Sequence, residues 1–162
     1  MKEKDMTPEK RDAALAKCLA EGESYLAVVQ ATILPSDQEK RKLLYDGTVL
    51  NVLSRPKGVR EGRQIILQNE YCYIGLKENA LVFAAADPDK PRVEDEFQVD
   101  FDEIEDLGFE QNKNGCIVRL HFSEEYLKFA IMYKSASKAI GDQREDAVRI
   151  LTTLSDLYES LA

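Results

Sequence analysis

Four basic side chains fall within nine residues of an otherwise acidic chain. Arg55, Lys57, Arg60 and Arg63 are spaced by Gly58 and Gly62 in the segment SRPKGVREGR. Guanidinium and ammonium groups, beside backbone amides that glycine lets approach closely, are the chemistry that holds a phosphate or another anion. The same charges on a solvated connector would only keep it in water, and Glu61 interrupts the cluster. Both readings stay open. A second run has the opposite sign: nine acids between Glu94 and Glu110, with no Lys or Arg among them. A calcium loop of the EF-hand kind needs oxygen ligands at its first, third and fifth positions and glycine at the sixth. Counting from Asp100, the fifth is Ile104 and the sixth Glu105, so that pattern fails. The run then serves either to receive a basic partner or to keep an exposed strand edge from pairing.

Catalytic signatures are missing. His121 is the single histidine. Cys116 lies five positions before it, and an odd separation along a strand sends two side chains to opposite faces. No glycine-rich phosphate loop, GxSxG or HExxH occurs. Cys18, Cys72 and Cys116 stand apart with no CxxC, and they read as small buried hydrophobes. The expectation is a non-catalytic protein with no metal and no cofactor.

Composition fits that expectation. With 162 residues, 44% hydrophobic and 32% charged, the chain can bury one core without staples. Twelve Lys or Arg against ten Asp or Glu in residues 1–63 become ten against twenty in the remainder, for a net charge of −8. Such a surface repels nucleic-acid phosphates, so nucleic acid is not an expected partner. Residues 1–17 are charged throughout and lack the apolar run of a secretory signal, and no stretch approaches the roughly 20 apolar residues of a membrane span, so the expected address is the cytoplasm.

The elements that must carry these residues can be read from capping, turn and periodicity signals. Thr7-Pro8-Glu9 opens a helix that stops at Gly22, with a thin apolar stripe of Leu15, Cys18 and Leu19. That stripe suits a helix lying on a surface, either of its own domain or of another subunit. Residues 23–34 read as a strand, with helix as the alternative. Ser36 and Glu39 form a capping box for a short helix ending near Tyr45. An apolar run over 48–53 and the basic segment follow. Short strands are expected over 64–67, 71–76, 80–86, 97–101, 104–109, 116–122 and 127–133. Asn114-Gly115 predicts a type I′ hairpin, and 123–125 a second turn. Asp142 and Glu145 stand at capping-box spacing before a helix whose apolar stripe runs Ala147, Ile150, Leu151, Leu154, Leu157, Tyr158, Leu161.

The order of hairpins closed by one amphipathic helix resembles the pleckstrin-homology-like (PH-like) domains, in particular those of bacteria. Gly22-Glu23 opens the first strand. The stretch Tyr73-Ile74-Gly75-Leu76-Lys77-Glu78-Asn79-Ala80-Leu81-Val82-Phe83 is similar to the family's strand–turn–strand phrase, as is 97–101 followed by Asp102-Glu103-Ile104-Glu105-Asp106-Leu107. The match spans roughly residues 22 to 161. It departs from the family in the long 35–70 connection and in Lys77-Glu78-Asn79, which replaces the usual Thr-Asp turn. The resemblance implies an α+β fold: a partly open antiparallel β-barrel of about seven strands capped by the C-terminal helix. An N-terminal helix over 1–21 would decorate a PH-like domain over 22–162, with a helical and basic-loop insertion at 35–70. Members are mostly binding or scaffolding modules, so protein–protein contact or self-association is the expected function. In lipid-binding relatives, bases after the first strand grip phosphates. Arg55, Lys57, Arg60 and Arg63 therefore make anionic lipid or phosphate binding the alternative, and an enzyme of unknown type the third reading.

Overall fold

The computed structural model describes residues 3–34, 59–60, 63–64, 70–86 and 96–161. Helix α1 (Pro8–Ala16) is followed by strands β1 (Ala27–Leu34), β2 (Val59–Arg60), β3 (Arg63–Gln64), β4 (Glu70–Leu76), β5 (Ala80–Ala85), β6 (Glu96–Asp100), β7 (Ile104–Asn112), β8 (Gly115–Phe122) and β9 (Glu125–Met132), and by helix α2 (Arg144–Leu161). Short 3-10 turns occupy Glu3–Asp5 and Phe101–Glu103. Seven of the described strands form one antiparallel sheet in the order β6-β5-β4-β1-β9-β8-β7, and β2 pairs with β3.

That order forces the sheet to curl. β6 and β7 are its two outer strands, yet only Phe101–Glu103 joins them. Six inter-strand steps of a flat sheet would separate them by about 29 Å, whereas four Cα steps reach at most about 14 Å. The sheet therefore bends into an open roll whose edges approach at this end without pairing. Inside lie Val29, Ala31, Ile33, Ile74, Leu81, Phe83, Val99, Val118, Leu120, Phe129 and Ile131, closed off by Ala147, Ile150 and Leu154 of α2. Phe83 stacks on Phe97 at 4.8 Å and meets Phe129 edge-on at 5.2 Å.

α2 does more than plug the roll. β1 pairs with β9 only from Thr32 to Leu34, so its earlier residues diverge from that neighbour. The start of α2 fills the gap. Val28 N–H donates to Asp146 Oδ2 at 3.0 Å and Gln30 N–H to Gln143 Oε1 at 2.8 Å. The Gln143 amide donates back to the carbonyls of Gln30 and Met132, at 2.8 and 2.9 Å. One buried amide side chain thus acts as a strand residue, satisfying backbone groups that would otherwise be buried unpaired. Asp142 does not form the expected capping box: its Oδ1 accepts from the Arg144 amide at 2.9 Å, two residues on.

The outer face of β4 and β5 is also covered, which explains why both strands are apolar without alternation. Residues 3–22 lie across it. Met6 and Leu15 are fully buried against Tyr73, Val82, Ala84 and Ala86. The thin stripe therefore packs on the chain's own sheet rather than awaiting another subunit. α1 opens as its sequence predicts, with Thr7 Oγ1 accepting from Lys10 N–H at 3.2 Å, but it stops at Ala16, and tight turns carry the chain to Gly22, whose φ is +82°. The Tyr25 ring then lies over Gly75, where a Cβ would stand 2.5 Å from it, and its hydroxyl donates to Leu15 C=O at 2.6 Å.

The hairpin turns correct one expectation. Positive φ falls at Ser123 (47°) and Glu124 (64°), so the primed turn joins β8 to β9. At the β7–β8 hairpin the Asn112 side chain accepts from Asn114 N–H at 2.8 Å, and Gly115 already belongs to the ladder. Gly115 is needed there for room, since a Cβ would strike Ile131 O and lie 2.8 Å from Met132 Cα.

Candidate functional site

Of the four bases singled out in the sequence, Arg55 and Lys57 lie outside the described residues. Arg60 and Arg63 occupy directly opposed positions of the β2–β3 ladder. Cys116 and His121 do lie on opposite faces of β8: Cys116 is buried, with burial pushing its thiol up, and His121 is half-exposed. The imidazole stacks on Tyr126 at 4.4 Å, and its Nδ1 stands 3.6 Å from Glu105 Oε2. Burial holds Cys72 far above the ordinary thiol range. Burial, followed by the neighbouring Glu96 carboxylate, also raises Cys18. None of these thiols is therefore poised as a thiolate nucleophile.

The acidic run is where topology concentrates side chains. Its described part covers both outer strands and the turn between them. Asp100, Asp102 and Glu103 bring carboxylate oxygens within 4.8 Å of one another; Asp100 is half-buried and the other two are exposed. These are the described residues that could hold a hard cation. Gln98 Nε2 donates to Asp100 Oδ1 at 2.7 Å, and Gln98 Oε1 accepts from Lys77 Nζ at 2.9 Å. Lys77 is buried and fully used, since its ammonium also donates to Cys18 C=O at 2.8 Å and Glu23 Oε1 at 3.0 Å. Desolvation, then Asp100 and Asp102, hold the Glu103 carboxyl above its ordinary value. Glu23 moves the other way, lowered first by the Ala20 amide it accepts and then by Lys77.

β7 is the longer edge, with nine residues and, among the described residues, β8 as its one ladder neighbour. Its register shifts between Ile104 and Asp106, leaving Glu105 as a bulge. Glu105, Asp106 and Glu110 are exposed along it. Asp106 Oδ1 accepts from Leu107 N–H at 2.9 Å, and Glu110 meets Arg119 at 3.2 Å, an exposed pair worth little to stability. Beside this edge the apolar stripe of α2 runs past the sheet. Tyr158 meets Phe109 edge-on at 6.1 Å, yet Tyr158 and Leu161 remain 45% and 44% exposed.

No family model matches the chain, and no curated protein matches it. Solved structures similar to it include the following two. One is the C-terminal domain of an unknown protein from Leishmania infantum, at 12% identity over 93% of both chains with a TM-score of 0.44. The other is the hSac2 domain from the human phosphoinositide phosphatase Sac2, at 10% identity over 93% of this chain and 77% of that one, with a TM-score of 0.43. Among the described residues no helix is long and apolar enough to cross a membrane.

Sequence reasoning found the acidic run and gave the guarding of an exposed strand edge as one of its two roles, but not which strands form that edge. That β6 and β7 are both outer strands depends on which strands pair, and each strand's own pattern is silent on its neighbours. The apolar stripe of α2 continues unbroken into its half-exposed end, so the pattern alone does not mark where burial stops.

Proposed function

We propose that the chain is a non-catalytic binding module of the PH-like kind, bacterial and cytoplasmic, which takes an extended segment of a protein partner on the outer edge of β7. The observation that carries this reading is the coincidence of three features on one side of the roll. A nine-residue edge with one ladder neighbour among the described residues offers backbone groups for strand addition. Glu105, Asp106 and Glu110 favour Lys and Arg on the incoming segment. Phe109, Tyr158 and Leu161 supply apolar surface for one large side chain. The seven-stranded sheet with β1 near its middle, hairpins on either side and a C-terminal helix supports the PH-like assignment.

The reading is tested with a nine-residue peptide alternating Lys and Val around a central Phe, titrated against the isotope-labelled chain. Amide shifts confined to β7 and the last two turns of α2, weakened by salt, are expected. No binding, or shifts centred elsewhere, would overturn it. A second reading, anionic lipid or phosphate binding through Arg55, Lys57, Arg60 and Arg63, draws on the opposed placement of Arg60 and Arg63. Salt-sensitive flotation with anionic liposomes, lost when all four become Ser, would favour it over the β7 edge.

A further inference from the structure

We propose that His121 is a pH-dependent brake on the outer edge of β7. Protonated, it pairs with the Glu105 carboxylate and repels an incoming Lys or Arg. Neutral, it leaves Glu105 and Asp106 to the basic segment of a partner. The inference rests on the β7 reading above and adds its regulation, through a histidine that reading does not use.

The bulge in β7 sets which side chains meet this histidine. Along a regular strand that starts with Ile104 inward, Asp106 would also point inward and Leu107 outward. Instead Ile104 and Leu107 are both buried, and Glu105 and Asp106 between them are both exposed. The register gives the reason. Ile104 pairs with Phe122 and Asp106 with His121, so Glu105 is the extra residue. A bulge re-aims side chains in this way, and here it turns two consecutive acids to the outer face, opposite one imidazole. The same two acids belong to the edge that favours a basic segment.

The imidazole is held where it can act. Tyr126 lies directly across on β9, and the two rings stack at 4.4 Å with 2° between their planes. His121 Nδ1 stands 3.6 Å from Glu105 Oε2, within the N···O reach of an ion pair once the ring is charged. The side chains are 29% and 56% exposed, so solvent protons reach the pair. The remaining charged groups around the ring come from three strands and two turns. Asp106 is the residue opposite on β7, and Arg119, two residues back along β8, reaches Glu110 at 3.2 Å. Lys128 of β9 pairs with Arg119, while Glu125 pairs with Phe122, whose side chain is buried on the other face. Glu124 stands in the exposed turn between β8 and β9. In the turn before β7, desolvation and then Asp100 and Asp102 hold the Glu103 carboxyl above its ordinary value, which makes Glu103 the competing source of a pH step. From about pH 5.5 to about pH 7.5 arginine and lysine stay charged and carboxylates ordinarily stay ionised, whereas histidine ordinarily changes charge.

The test titrates the full chain with the Lys–Val peptide around a central Phe, its termini capped so that its charge does not change with pH. Affinity is read at about pH 7.5 and about pH 5.5, at one ionic strength. Binding about three-fold weaker at the lower pH is expected, the scale of one exposed ion pair, with a smaller step in high salt. His121→Gln should bind equally at both values. His121→Lys, charged throughout, should bind at both values as the unaltered chain does at the lower one. Glu105→Gln should bind more weakly at the higher pH and lose most of the step. Should His121→Gln disturb the β8–β9 ladder, His121→Phe keeps a ring on Tyr126 without the charge. Equal affinity of the unaltered chain at both values overturns the proposal alone. A step that survives His121→Gln or His121→Phe overturns it in favour of Glu103. Absence of binding at both values overturns it together with the β7 reading.

Discussion

The most exacting positions are set by single atoms. At Gly75 a methyl group would meet the Tyr25 ring at 2.5 and 2.6 Å, and that ring is pinned through its hydroxyl to Leu15. Gly75→Ala should therefore cost about 1–3 kcal/mol, the usual range for overpacking. Combining it with Tyr25→Ala should cost less than the two separate losses together, as urea titrations of the double-mutant cycle will read. Glu103 makes a prediction about pH. Its folded carboxyl binds its proton more tightly than an ordinary glutamate, through desolvation and then the nearby Asp100 and Asp102. Its contribution is fully present below the unfolded value and is lost as pH rises through the folded one. Glu103→Gln should accordingly raise the thermal midpoint at pH 7 and have no such effect below about pH 4, where the native side chain is already neutral. Calorimetry at the two pH values decides it. Lys77 was read in the sequence only as part of a turn. Its burial could not be foreseen, because its acceptors come from residues 18, 23 and 98, brought together by the fold alone.

At the scale of elements, sequence signals served where they were local. The alternation of Leu127, Phe129 and Ile131 names the inward face of β9, and the stripe of Ala147, Ile150 and Leu154 names that of α2. They failed where a residue answers to a distant neighbour. Asn114-Gly115 looks like a primed turn, but the glycine is retained for the approach of Ile131 and Met132, while Ser123 and Glu124 adopt the positive φ angles without glycine. Likewise β4 and β5 carry no alternation because α1 covers their second face. The basic segment shows the limit of the site reading: Arg55 and Lys57 lie outside the described residues. The joint between α2 and β1 yields a sharper expectation. Gln143→Ala leaves the Gln30 amide and the carbonyls of Gln30 and Met132 without the side chain that joined them. A loss of about 3 kcal/mol is expected from such unmet buried groups, with faster hydrogen exchange at Gln30 and Val28 than at Val118. An unchanged denaturation midpoint would show that the joint is held by packing alone.

For the whole molecule, the distribution of charge over the two outer strands governs association. Exposed edges invite pairing with other chains, and acids along them oppose it. Glu105→Gln, Asp106→Gln and Glu110→Gln together should shift the chain toward dimers or larger species in sedimentation velocity. High salt should move the unaltered protein the same way by screening. The turn Phe101–Glu103 has a separate consequence, because it ties the two rims of the sheet to each other. Curvature here is partly a matter of string length. A few glycines added between Asp102 and Glu103 would break none of the seven-strand ladders and would cost little entropy, yet they would let the rims part. The roll behaves like a bracelet whose circumference is set by a three-residue clasp, and the width of its interior can be adjusted from outside the core.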